Sequence, residues 1–422
     1  MTSFAQGRVP VVQPLRQDLR TISLVSLVHG TSHFFHLLLP PLFPVFVREF
    51  ALSWTELGLL VTVFFVVSGI GQALSGFVVD RVGPRPVLQA ALACFCAAAL
   101  AAASADGHAG LLVAAVLAGL GNAPFHPIDF TILNRRVSAS RLAHAYSAHG
   151  ICGTLGWAAA PLLLVGLAES TGQWRWAYVL VALWAAGLAL LVTHQRRALD
   201  ASPDGGAGQG IAPLAATPVV GTVELLRHPV LWLSFAFFAF GTATVAAIQS
   251  FAGPALGRLY GLPVTSTAAV VTAYMVCSAG GMLIGGWIAS RVVRVERTIA
   301  CAGSAAALLL VATGLAFWPT MVAVVAVALA GLGAGISGPS RDLLVKRATP
   351  PGATGRVYGL VYSGADVGFA ASAPVLGWLL DAGMSGAVFH AAAATLAVAV
   401  VLALQVARQA SRSRELGAAP AC

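Results

Sequence analysis

The sequence predicts an all-α membrane protein with twelve transmembrane helices in two pseudo-symmetric six-helix bundles. Three observations carry that expectation: a chain too apolar for a soluble surface, twelve long apolar runs, and basic residues confined to alternate connections. Of 422 residues, 58% are hydrophobic and 9% charged, where an ordinary soluble domain carries roughly 25% charged residues. With a mean hydropathy of +0.85, the chain lacks the polar side chains that water-facing surfaces need.

A bilayer core about 30 Å thick takes roughly 20 mostly apolar residues per helix, and barrel strands would instead show short alternating segments. The runs here are long and unalternated, at 20–46, 55–79, 86–104, 110–133, 143–167, 175–193, 229–250, 264–289, 298–317, 320–343, 357–380 and 387–407. The first follows Arg16 and Arg20 but is too long for a secretory signal, carries three histidines, and ends in Pro40, Pro41 and Pro44 with no small-residue cleavage site. It is expected to remain as the first membrane helix. The second run passes through Gly76 to Asp80 and Arg81, and Gly83-Pro84-Arg85 leads to Pro86 at the start of the third. Gly76 is expected to permit close helix contact, Gly83-Pro84 to make a tight turn, and Pro86 to suit a first helical turn. Asp80 with Arg81 and Arg85 reads as a charge-assisted latch.

Six cysteines are scattered singly except Cys94 and Cys96, whose spacing of two turns them to different faces of the third run. Neither a disulfide frame nor a thiolate metal site is expected. After the sixth run, Asp200, Ser202, Pro203 and Asp204 precede Gly205, Gly206, Gly208 and Gly210, the composition of a flexible solvated linker. A phosphate loop is excluded, since no Gly-Lys-Ser/Thr follows and Lys346 is the chain's single lysine. Direct drive by a nucleotide bound to this chain is therefore excluded. The seventh run opens with Phe235, Phe237, Phe238 and Phe240, which read as an interfacial belt. The chain divides into an N-terminal tail 1–19, a first bundle 20–194, a linker 195–228, a second bundle 229–407 and a tail 408–422.

The net charge of +9 raises the question of a nucleic-acid partner, and the placement of the charges answers it. Twenty-one of the 24 basic residues fall on the side of the two termini, leaving Arg48, Arg175 and Arg258 on the other. Losing one helix would scramble that alternation. The positive-inside rule then puts both termini and the linker in the cytoplasm, with no role for nucleic acid. A cysteine reporter at Ala255 is expected to face outside and one at Gly208 inside.

The two halves repeat. Gly76, Asp80 and Arg81 correspond to Gly286, Ser290 and Arg291, 210 residues on, and Gly119-Leu120-Gly121 with Pro127 and Arg135 corresponds to Gly331-Leu332-Gly333 with Pro339 and Arg347, 212 residues on. A parallel duplication of this kind lets two bundles rock about a central site. The stretch from Gly76 through Asp80, Arg81 and Gly83 to Arg85 closely resembles the signature between the second and third helices of the major facilitator superfamily. With the repeat and the central linker, that resemblance covers essentially the whole chain. It implies that Gly76, Asp80, Arg81, Gly83 and Arg85 govern conformational switching, and Ser290 leaves the second copy without its acid. Gly150, Gly153, Gly156 and Pro161 in the fifth run loosely resemble the glycine and proline motif of drug/proton antiporters, although the proline comes late and a closing glycine pair is missing. Gly121-Asn122 to Pro127 is similar to the fosmidomycin-resistance-type exporters.

In the first run His29, His33 and His36 fall at spacings of four and three, a helical stripe about 60° wide. The fourth run repeats the geometry with Asn122, His126 and Asp129. By the resemblance, runs one, four, seven and ten line a central cavity, and two polar stripes facing it would form a substrate or proton path. Hydrogen bonding between helices is the plainer alternative. His29 and His33 have the spacing of a zinc helix, but Gly30 stands where a metalloprotease carries its glutamate, so no hydrolase chemistry is expected. His29, His33, His126 and Asp129 leave transition-metal transport open. No cofactor is expected.

Asp129 and Asp366, with Tyr362 one turn from the latter, are the acids well inside apolar runs and read as functional. Asp129 is expected to hold a coupling proton jointly with His126, with Asp366 the next candidate. Arg341 and Asp342 read as boundary residues, while Thr242, Gln249 and Ser337 offer neutral hydrogen bonds to a substrate. The expected protein is a monomeric secondary transporter of the cytoplasmic (inner) membrane, not an enzyme, which moves a small molecule by alternating access. Its partners are that substrate, protons and the lipid bilayer. The glycines of the fifth run favour efflux, with proton-coupled uptake of a metabolite or organic anion the alternative, ahead of metal transport and of a receptor of transporter ancestry without turnover. Histidines and Arg341 suit an anionic substrate, Asp129 and Asp366 a cationic one.

Overall fold

The computed structural model describes residues 14–199, 227, 229–348 and 354–417. Most of the expected linker, 200–226 with its reporter position Gly208, lies outside the described residues, while Arg196–Leu199 form a short helix. Six helices make the first half: α1 Leu15–His36, α2 Trp54–Val82, α3 Pro84–Ala103, α4 in two segments His108–Asn122 and Phe125–Arg136, α5 Leu142–Thr171 and α6 Trp174–His194. The second half holds α7 Pro229–Ala246, α8 Val264–Ala289, α9 Val295–Gly314, α10 Thr320–Ala348, α11 Thr354–Asp381 and α12 Ser385–Gly417. Among the described residues, eleven spans are long and apolar enough to cross a membrane. The 28-residue α11 packs among them as the twelfth long helix.

Local chemistry sets the ends. Ser53 opens α2 with a capping box, its hydroxyl accepting the Glu56 N–H while the Glu56 carboxylate accepts the Ser53 N–H at 2.8 Å. Gly83, at φ +90°, closes α2 and begins α3 in a conformation that a side chain would strain. Three expected continuous runs are interrupted. The first ends at His36 and resumes through a tight turn at Pro40–Leu42 as a short helix Phe43–Phe50. α4 breaks at Ala123 and Pro124, where proline removes a backbone donor. α7 passes through a π-helical turn, Ala247–Phe251, before Ala252–Tyr260.

The duplication is visible in packing. α1 pairs with α5 as α7 pairs with α11, α2 with α4 as α8 with α10, and α3 with α6 as α9 with α12. The repeated glycines occupy equivalent contacts. A Cβ on Gly119 would lie 2.6 Å from the Phe64 carbonyl of α2, and one on Gly331 2.2 Å from the Tyr274 carbonyl of α8. Gly121 and Gly333 meet α3 and α9 in the same way, through Phe95 and the Ala302 carbonyl. Small residues bring these backbones together where lipid offers no hydrophobic drive between helices.

The halves meet along two seams, α2 against α11 and α5 against α8. Call the end bearing Leu15, His194 and Pro229 the terminal face. At the opposite face, Asp381 accepts hydrogen bonds from the N–H groups of Trp54 and Thr55, and the Arg258 guanidinium lies over the Trp54 ring while donating to the Leu380 carbonyl. The α2–α11 seam then runs inward through Gly377 on Trp54, Gly58 on Ala373, Thr62 donating to the Ala370 carbonyl at 2.7 Å, and Phe65 stacked on Phe369 at 4.2 Å. It reaches Gly69 and Asp366 near the middle of both helices.

Some basic residues of the terminal face are structural ties as well as charges. Buried Asp18 accepts from Arg141 and from the Ser138 N–H, and Arg136 donates to the Arg197 carbonyl at 2.8 Å. Ala255 is fully buried in the structure, so the reporter position expected to face outside cannot report; exposed Thr265 lies just beyond the same turn. Phe237 and Phe238 correct the belt expectation, being buried in a core of the second half with Leu231 and Val361.

Candidate functional site

Three turns of α1 place His29, His33 and His36 on one stripe, and that stripe meets α2, α4 and α5 inside the first bundle. The close approach of α5 depends on glycine. A Cβ on Gly156 would stand 2.0 Å from the Gly30 carbonyl, and one on Gly153 would press on the His29 and His33 rings. The glycines read from sequence as an antiporter motif therefore have a direct packing reason here.

At the centre, Asp129 is fully buried, and its Oδ2 accepts from His29 Nδ1 at 2.9 Å and from His149 Nε2 at 3.0 Å. The rings of His29 and His149 stack with centroids 3.4 Å apart. Oδ1 of the same carboxylate is buried with no hydrogen bond. His126 does not share that carboxylate through a hydrogen bond, as the sequence spacing suggested. Its Nδ1 faces Gln72 Oε1 of α2 at 3.1 Å, since His126 and Asp129, three apart on one segment, point about 60° apart around the helix axis.

A second chain of bonds fixes His36. Trp157 Nε1 donates to His36 Nδ1 at 3.3 Å, His36 Nε2 donates to Asn122 Oδ1 at 3.0 Å, and Asn122 Nδ2 donates to Ser68 Oγ at 2.8 Å. The directions are mutually consistent only for a neutral His36 protonated on Nε2. His33 lies between, its ring against His36 and Trp157 with centroids at 4.9 and 4.3 Å. The structure thus brings together His29, His33, His36, Asn122, His126 and Asp129, and adds His149, Trp157, Gln72 and Ser68, which sequence reasoning missed. A signal for His149 was present: it lies four residues before Gly153 and so shares its helix face.

The other candidates lie apart from this cluster. Gln249 is buried in the π-helical turn, near Pro40, Pro41 and Pro161 between the halves. Ser337 donates to its own helix at Gly333, and Thr242 ties α7 to the Ala365 carbonyl of α11 at 2.9 Å, so both hydroxyls are engaged within the protein. Tyr362 packs on Phe238 with ring centroids at 5.0 Å, and the Arg341 guanidinium lies 4.7 Å from the same Phe238 ring while pairing with Asp342 at 3.1 Å. Asp366 faces the other half: a Cβ on Gly69 would sit 3.3 Å from its Oδ2. Among the described residues, Asp366 has no hydrogen bond or ion pair.

In the switch segment, a Cβ on Gly76 would meet nothing within 4 Å, so close contact is not its use in this conformation. Asp80 and Arg81 are exposed and, among the described residues, unpaired, so the expected latch stands open at the terminal face. Arg85 is half-buried. In the second copy, Ser290 donates to the Trp287 carbonyl and Arg291 covers the Trp287 ring at 4.1 Å.

Fold and site together define a multi-pass membrane protein of two like bundles around buried polar residues. The chain belongs to the Major Facilitator Superfamily, which matches residues 23–341 and 242–420. It is a membrane transporter by that membership. It is 26% identical over 285 residues to the fosmidomycin resistance protein of Escherichia coli, covering 66% of this chain and 67% of that one. The probable L-galactonate transporter of Escherichia coli is 24% identical over 256 residues, 58% of this chain and 56% of the relative. Among solved structures, a bacterial homologue of the human lysosomal transporter Spinster, in an inward-facing and occupied conformation, superposes with a TM-score of 0.74. That match covers 95% of this chain and 98% of the other at 16% identity, a likeness of fold.

Proposed function

We propose that this chain is a secondary active transporter that moves a small molecule across the cytoplasmic membrane by alternating access, coupled to protons, with export favoured over uptake. Both termini lie in the cytoplasm, and the chain works as a monomer. The observation that carries the reading is the shape of the α2–α11 seam, clasped at the opposite face and reaching inward to Asp366 and Gly69. With the latch at Asp80 and Arg81 open, this is the conformation that admits solute from the terminal, cytoplasmic side.

Proton coupling needs a group whose surroundings change as the bundles rock. Asp129 holds partners from α1 and α5, within its own bundle. Asp366 lies across the seam from α2, so opening the opposite face would bring water to it. An ionised carboxylate is costly in the closed seam and tolerated in the wet one, which ties its proton to the conformation. The substrate and proton pathway then comprises the His29, His33, His36, Asn122, His126 and Asp129 column together with Gln249, Ser337, Tyr362 and Asp366, and the Gly76 to Arg85 segment governs switching. The relative named for fosmidomycin resistance supports export, since lowering the internal concentration confers resistance.

Uptake of an organic anion is the second reading. It rests on the Arg341 guanidinium beside Phe238 and Tyr362, and on the relative named as a probable L-galactonate transporter. Solute flux into and out of proteoliposomes under an imposed pH gradient separates these readings by direction. Binding of a solute with no flux in either direction would instead identify a receptor.

A further inference from the structure

We propose that His29, His33 and His126 bind a divalent transition-metal ion of the zinc class inside the first bundle, with Asp129 as the carboxylate that orients His29. One ring nitrogen from each histidine lies within 4.8 Å of the others. Tetrahedral zinc with bonds of 2.0–2.1 Å sets its ligand nitrogens roughly 3.3 Å apart, so a small inward movement of the rings completes the site.

The hydrogen bonds around the three rings leave the nitrogens a metal needs. His29 gives its Nδ1–H to Asp129, which leaves the Nε2 lone pair free. His126 gives Nδ1–H to Gln72, which again leaves Nε2. His33 Nδ1 is buried with no hydrogen-bond partner, so in the Nε2–H tautomer its lone pair is open to an ion. A carboxylate on the far nitrogen of a ligating histidine is the usual outer shell of zinc sites, where it fixes the tautomer and raises basicity. Asp129 also supplies a negative charge against the ion.

Space and access agree. A Cβ on Gly153 would come within 3.0 Å of His29 Nε2 and 2.9 Å of His33 Nδ1, so glycine keeps the approach to both nitrogens open. His33 and His126 are half-buried as residues, whereas the alternative group of His29, Asp129 and His149 is buried throughout. Three imidazoles leave a fourth position for water or a ligand atom. The inference goes beyond the transport reading, and its test reads no flux.

The test is a cobalt titration of the full chain in detergent micelles, followed by the visible absorption of four-coordinate cobalt, with zinc as competitor. The expected result is one ion per chain, displaced by zinc. His33→Ala and His126→Ala should each lose the band, and Asp129→Asn should weaken binding roughly 10- to 100-fold. His108→Ala should keep full binding, since His108 faces the Glu56 carbonyl elsewhere. Gly153→Ala retains all three imidazoles but fills the approach, and should also weaken binding. Zinc should raise the melting temperature of the wild type and not of the His33→Ala/His126→Ala double variant, whose metal-free melting shows that it folds. No saturable binding by the wild type would overturn the proposal. So would a stoichiometric ion in the double variant, which would put the ion on His29, Asp129 and His149.

Discussion

The carboxylate of Asp381, the last residue of α11, accepts the backbone N–H of Trp54, the first residue of α2, at 2.8 Å. It also accepts the Thr55 N–H at 2.9 Å and the Thr55 hydroxyl at 2.6 Å. One bundle thus caps a helix of the other, adding a negative charge where the first-turn N–H groups and the helix dipole favour it. The cap exists only while the opposite face is closed.

Asp381→Ala should therefore act on conformation more than on folding. Losing a cap costs about 0.5–2 kcal/mol, here charged to the closed face alone, which shifts the balance toward the open one by roughly 2- to 30-fold. A cysteine at Thr62, inside the seam, should react faster with a thiol reagent in the Asp381→Ala background than in a cysteine-free parent. An unchanged rate would show that the cap does not hold the face shut.

Two glycines should respond in opposite ways. Gly156→Ala forces a methyl to within 2.0 Å of the Gly30 carbonyl, and overpacking of that kind costs about 1–3 kcal/mol. The melting temperature of the purified protein should fall. Gly76→Ala meets open space and should leave the melting temperature unchanged, yet slow transport if Gly76 makes its close contact in the alternate conformation. Asp80→Asn should likewise slow transport with little change in ligand affinity, measured by binding to the purified variant.

Topology is tested by an impermeant thiol reagent on intact cells. A cysteine at exposed Thr265 should be labelled and one at exposed Arg196 protected. The reverse pattern would invert the orientation argued from the 21 basic residues on one side.

Long apolar runs, charge alternation and paired glycines made the fold legible, because each reports a constraint that acts along the chain. The histidine stripe was legible for the same reason: His29, His33 and His36 are neighbours by helical period. Which groups that stripe meets was not. His149 reaches Asp129 only because Gly153 and Gly156 let α5 approach α1, and His126 meets Gln72, a residue supplied by α2. Spacing within one run cannot show a partner supplied by another. Phe238 was misplaced on similar grounds, since aromatic residues near a helix end suit a lipid belt as well as a buried core.

In the proposed cycle the proton on Asp366 and the state of the opposite face form one equilibrium. The most direct measurement is the distance between spin labels at lipid-facing Leu59 on α2 and Val375 on α11, recorded from mildly acidic to alkaline pH. Neutral Asp366 fits the closed seam against Gly69, and the ionised form favours the more hydrated, open one. The wild type should therefore shift from a short distance at acidic pH toward a longer one as pH rises, while Asp366→Asn keeps the short distance throughout. A pH response that survives in Asp366→Asn, or a wild-type distance that ignores pH, would show that this proton and the opposite face are not coupled.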